Sequence, residues 1–136
     1  MKPIFFVKFE QEILGSLLLN GNLKPIISFL DAKHFIDPVH NEIFRAILLA
    51  HERFNAINPL IVKRLMNSEI ISHFEKQTKI TFSTYLGNLL TLATTISSEV
   101  INAARRVVQQ WAKITISQEA KTLSLYTLIL AAILLL

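Results

Sequence analysis

The stretch that decides the fold is Glu10-Gln11-Glu12-Ile13-Leu14-Gly15-Ser16-Leu17-Leu18-Leu19. Its apolar residues recur at spacings of three and four, which is typical of one buried helix face. We predict a first core helix over residues 9–19, with Glu10 in its first turn beside the positive end of the helix dipole. Gly15 costs roughly 1 kcal/mol relative to alanine inside a helix, so we expect it to let another helix approach closely.

The composition indicates one small helical domain. The chain has 136 residues, 51% of them apolar, with only three glycines and four prolines. This length is sufficient for a hydrophobic core without disulfides, and the absence of cysteine excludes thiolate metal sites. The net charge of +4 comes from scattered basic residues, so it does not by itself indicate nucleic-acid binding. We find no convincing secretory signal and expect a cytoplasmic protein.

Two helix starts are marked by a capping residue followed by proline, at Asp37-Pro38 and Asn58-Pro59. The first of these helices is predicted to reach about Phe54 and the second about Met66. A short helix is also predicted after Asn22, with its apolar residues facing the core. Those residues are Ile26, Ile27, Phe29 and Leu30.

The second half of the chain predicts three further helices. Residues 68–79 suggest a short, loosely held helix, and residues 82–92 a longer one. The polar run over residues 94–98 is expected to supply the N-cap of a long final helix. No strand pattern persists, so we predict an all-α fold, a compact bundle of about five to six helices. We divide it into a globular part (1–96), a long helix (97–121) and an uncharged apolar tail (122–136).

Over residues 9–120 the chain resembles the N-terminal domain of the DnaB-type replicative helicase family. The resemblance rests on three motifs in order: Glu10-Gln11-x-x-Leu14-Gly15, the run from Phe35 through Pro38 and His40 to Phe44, and Tyr85-Leu86 followed by Leu89. A glycine pair that usually precedes the Tyr-Leu motif is missing. The long helix resembles the first arm of the family's dimerising hairpin, whereas the apolar tail stands where the second arm should follow.

The resemblance implies a protein-interaction role in DNA replication. In that family this domain forms a collar that supports ring oligomerisation and helps to recruit primase. We therefore expect self-association, with primase and helicase subunits as partners, and packing rather than charge at the contact. The expected partner interface is the apolar stripe of the long helix, formed by Val100, Val107, Val108, Trp111 and Ile114.

Nothing in the sequence predicts an enzyme. The family's ATPase motor requires a Gly-x-x-x-x-Gly-Lys-Ser/Thr loop, which these residues do not contain, so ATP and magnesium would belong to a motor domain elsewhere. The four histidines lack metal-ligand spacing, and we interpret them as capping or partly buried side chains. We predict no catalytic, cofactor-binding or metal-binding residues and no cofactor.

The long helix also carries a local basic group, Arg105, Arg106 and Lys113. These residues could contact the phosphates of a single strand that threads a ring. We favour a solvated helix face instead, because no aromatic residues alternate with the charges, as a stacking platform requires. Direct DNA binding is therefore not expected.

The tail leaves three alternatives open. It is a helix buried against the domain or a neighbouring chain, a truncated or out-of-frame end, or a membrane anchor. A membrane span needs about 20 apolar residues, and this run is shorter, so membrane association is not the expectation. An alternative to the collar role is accordingly a helicase remnant that has lost its oligomeric function.

Overall fold

The computed structural model describes residues 4–135, with side chains from residue 7 onward. Its helices are α1 (Ile4–Asn20), α2 (Pro38–Phe54), α3 (Pro59–Leu65), α4 (Ser68–Thr78), α5 (Phe82–Leu90) and α6 (Ser97–Leu134), with a 3₁₀ turn at Ala32–His34 between α1 and α2. The described residues contain no strand, and the predicted all-α fold is confirmed.

Helix α1 is the centre of the bundle and packs against α6, α5 and α2. Ile13 and Leu14 are fully buried in the core that these helices share. A Cβ atom added to Gly15 would overlap the carbonyl oxygen of Leu89 in α5. The close helix approach predicted at Gly15 is therefore confirmed, and α5 is the helix that makes it.

Both predicted cap-then-proline starts are confirmed. The Asp37 carboxylate accepts the backbone N–H groups of Val39 at 2.9 Å and His40 at 3.2 Å. The Asn58 side chain accepts the N–H of Ile61 at 3.0 Å. These bonds satisfy donors that would otherwise lack partners in the first turn, so α2 and α3 begin one residue after each cap.

Two predictions near the ends of helices are wrong. Residues 24–29 form consecutive turns rather than a helix, and Ile27 is exposed instead of facing the core.

The N-cap of α6 is Ile96, which makes no side-chain capping bond. The hydroxyl of Thr94 instead accepts the Ile96 N–H at 3.2 Å and donates to the Glu99 carboxylate at 2.6 Å. The polar run therefore stabilises the entry to α6 without a polar N-cap.

Helix α6 continues without a break past residue 121, so the long helix and the tail form one helix of 38 residues. The tail is thus helical, as predicted, through Leu134; residues 1–3 and 136 lie outside the described residues. Residues 116–135, which we call the exposed segment, are all exposed, and burial of the tail against its own domain is wrong. No helix within residues 4–135 has the length and hydropathy that crossing a membrane would require.

Candidate interaction surface

The polar residues of all three sequence motifs meet in one buried network. The Glu10 carboxylate of α1 lies 2.7 Å from Nδ1 of His40 in α2. The other imidazole nitrogen, Nε2, lies 2.6 Å from the hydroxyl of Tyr85 in α5. Gln11 donates its amide N–H to the same hydroxyl at 3.3 Å. Side chains that are up to 75 positions apart in the sequence therefore form one chain of hydrogen bonds.

The contacts of the network allow one continuous direction of donation. With the His40 proton assigned to Nδ1, donation runs from Gln11 to Tyr85, from Tyr85 to Nε2, and from Nδ1 to Glu10. The Glu10 carboxylate also accepts the backbone N–H of Ile36 at 2.8 Å. Burial raises the pKa of Tyr85, against the opposing effect of the Gln11 hydrogen bond, so its hydroxyl stays protonated and able to donate.

The network joins three helices, and its two central groups are closed to a substrate. Glu10 and His40 are each only 1% exposed, so neither group can be reached from solvent. The prediction that Glu10 lies in the first turn of α1 is wrong, because α1 begins six residues earlier. The charge is instead stabilised by the imidazole and by backbone donors at the start of α2.

The predicted interface stripe on α6 has two parts, one packed in the core of the domain and one only half-buried. Val100 and Val107 are 6% and 1% exposed, packed in the domain's own core. They are unavailable to a partner, which corrects that part of the predicted interface. Val108, Trp111 and Ile114 are half-buried, and their contact with a partner stays a prediction.

Trp111 also packs against the 3₁₀ turn. The His34 ring meets it edge-on with centroids 4.8 Å apart, and the Lys33 ammonium lies 5.1 Å from the indole centroid. Nδ1 of His34 accepts the Asp31 N–H at 2.9 Å. Burial lowers the pKa of His34, the Lys33 charge lowers it further, and Asp31 opposes this. Trp111 therefore packs the 3₁₀ turn against α6.

The basic residues of α6 lie on its exposed side. Arg105, Arg106 and Lys113 are all exposed, and the Arg106 guanidinium lies 6.0 Å from the centroid of the Phe9 ring. Their contact with nucleic acid stays a prediction. Among residues 4–135, no three His, Asp or Glu side chains are grouped so that they could hold a metal ion.

The exposed segment carries most of the exposed large apolar side chains on the described chain. Leu123 and Leu134, for example, are 67% and 84% exposed. At 1.5 Å per residue the segment extends for about 30 Å, carried by a helix whose first half is packed in the core. Large contiguous apolar surfaces of this kind are typical of protein contact sites. Its exposed large apolar residues are Ile116, Leu123, Leu125, Tyr126, Leu128, Ile129, Leu130, Ile133, Leu134 and Leu135.

The structure is that of a small all-α domain, a helical bundle with an internal polar network and a long final helix that projects from it. The family model of the DnaB-like helicase N-terminal domain matches residues 3–109, most of the chain. The chain therefore belongs to the DnaB-like helicase N-terminal domain family. Its 136 residues carry this domain and no ATPase motor.

The curated relatives are replicative helicases. The replicative DNA helicase DnaB of Rickettsia felis is 28% identical over 95 residues, which are 69% of this chain and 18% of that protein. The replicative DNA helicase DnaB of Rickettsia bellii is 29% identical over 89 residues, 64% of this chain and 17% of that protein. The matched region thus spans less than a fifth of the length of these relatives.

A solved structure supports the fold. The N-terminal domain of the DnaB helicase from Mycobacterium tuberculosis superposes with a TM-score of 0.73 at 18% identity, covering 89% of this chain and 83% of that one. At this identity the likeness concerns the fold alone. The match confirms the predicted family architecture, a helical bundle followed by a long helix.

Proposed function

We propose that this domain is a collar module of a replicative helicase, and that its exposed segment pairs with other helices during ring assembly. The observation that carries the proposal is the exposure of residues 116–134 of α6, together with Leu135 after it, a stretch that is rich in leucine and isoleucine. A helix that is apolar over most of its circumference is normally buried. A contact with another protein chain supplies that burial.

The pattern of the exposed segment supports helix pairing. Leu123, Tyr126, Leu130 and Ile133 recur at alternating spacings of three and four residues, the repeat of a helix-pairing seam. Such a seam would take over from the intradomain contacts of α6, which end near Ile114. Recruitment of primase, which the family resemblance implies, would then use the paired helices, and neither step requires a cofactor.

The test is the dependence of molecular mass on concentration for the full chain, measured by light scattering and sedimentation. We expect a dimer or a larger assembly at micromolar concentration. Replacing Leu123, Leu130 and Ile133 by glutamine should shift the chain to monomer. A control with Ser117→Gln and Ser124→Gln changes polar residues of the same segment and should associate like the parent.

Primase recruitment is tested separately, by titrating purified primase from the same genome into the parent chain and the triple variant. Binding to the parent that is lost in the triple variant supports a shared surface. A parent chain that stays monomeric at high micromolar concentration and binds neither primase nor helicase would contradict the collar role and favour the helicase remnant.

A further inference from the structure

We propose that the groove between α2 and α4 is a docking site for a peptide segment that carries an apolar side chain flanked by lysine or arginine. The groove has a volume of about 520 Å³ and is lined by Pro38, Val39, Glu42, Glu69, Ile70 and His73. Volumes of this size accommodate specific small ligands or single side-chain anchors. The groove lies on elements other than α6, so the inference is independent of the proposed pairing of the exposed segment.

The floor of the groove suits an apolar side chain. Val39 and Ile70 are only half-buried there, because α4 packs chiefly on α5 through Phe74 and leaves its Ile70 side toward α2. Covering these two side chains removes further apolar surface from water, which favours binding by roughly 25 cal/mol per Å².

The rim of the groove carries negative charge. Among the described residues, neither the Glu42 nor the Glu69 carboxylate has a hydrogen-bonding or ion-pair partner. Together with His73 they do not converge closely enough to hold a metal ion. The chain as a whole is basic, with a net charge of +4, whereas the two carboxylates Glu42 and Glu69 line this groove without a lysine or arginine beside them in its lining. Electrostatic complementarity therefore selects a cationic segment here.

The test is selection of a random 12-residue peptide library on the immobilised full chain, followed by affinity measurements with labelled peptides. Peptides that bind the immobilisation matrix alone are removed beforehand. We expect the enriched peptides to share an apolar residue flanked by lysine or arginine. Their affinity should fall at least tenfold in E42K/E69K and in I70S, while E52K, a charge reversal at the exposed far end of α2, leaves it unchanged.

The melting temperature of each variant shows whether it is folded, and chemical shift changes at Val39 and Ile70 locate the bound peptide. A peptide with glutamate in place of its basic residues should bind the parent more weakly and E42K/E69K more tightly. The proposal is overturned if no peptide is enriched, if the enriched peptides lack basic residues, or if E52K weakens binding as much as the double variant. None of these results would bear on association through the exposed segment.

Discussion

The bundle and the exposed segment differ in how many of their polar and apolar side chains find partners within the described chain. Within the bundle, the described buried side-chain polar atoms all have hydrogen-bond partners, and Gly15 lets two helix backbones meet. The exposed segment has the opposite character, with a large apolar surface that no element within residues 4–135 covers. The bundle therefore satisfies its buried groups internally, whereas the exposed segment leaves its apolar side chains in contact with water.

The largest expected effect is the loss of Glu10. Glu10→Ala leaves the His40 imidazole and the backbone N–H of Ile36 buried without their acceptor. Each buried donor left without an acceptor costs about 1–3 kcal/mol, so we expect the free energy of unfolding, measured by urea denaturation, to fall by about 2–5 kcal/mol. Glu52→Ala, on the exposed side of α2, serves as the control and should change stability by less than about 0.5 kcal/mol. Equal effects of the two substitutions would contradict the structural role of the network.

Gly15 and Gly87 form a matched pair of helical glycines. Gly15→Ala places a methyl group against the Leu89 carbonyl oxygen and should cost about 1–3 kcal/mol because α1 and α5 must separate. Gly87→Ala meets no atom within 4 Å and should stabilise α5 by up to about 1 kcal/mol through helix propensity. Thermal unfolding of both variants measures the difference in sign. If Gly15→Ala proved neutral, the close packing of α1 on α5 would be refuted.

Acid should weaken the contact of the 3₁₀ turn with α6. The pKa of His34 in the folded protein is lowered from 6.5, so the unfolded chain binds a proton first as the pH falls. The contribution of neutral His34 to stability is then fully present above pH 6.5 and is lost as the pH falls through the folded-state pKa. Melting temperatures from pH 7 to pH 5 should fall more for the parent than for His34→Gln. His51→Gln, at an exposed position, should behave like the parent; a parent and His34→Gln that fall equally would rule out this linkage.

The smallest effect on stability is expected in the exposed segment. Leu128→Gln changes a side chain that is 67% exposed and should leave the unfolding of the bundle within about 0.5 kcal/mol of the parent. The measurement is urea denaturation at a concentration low enough to keep the chain monomeric. A loss of several kcal/mol in the monomer would mean that the segment packs on its own bundle.

The sequence predicted what depends on neighbouring residues. Helical spacing predicted the buried face of α1, and the cap-then-proline pairs predicted where α2 and α3 begin. The partner of Glu10 could not be predicted in this way, since His40 lies 30 positions away and only the packing of α1 on α2 joins them. The division of the α6 stripe was missed for a similar reason, because helical periodicity does not show where α1 and the 3₁₀ turn cease to cover the helix.

Amide hydrogen exchange of the full chain, followed at several protein concentrations, tests the central claim most directly. An isolated helical stretch of this length is marginal in water, so residues 116–134 of the monomer should exchange rapidly while α1 and α2 remain protected. We predict that protection of residues 116–134 rises with concentration and that the bundle is unaffected. Rapid exchange of these residues at every concentration, in a chain whose α1 and α2 are protected, would contradict the account.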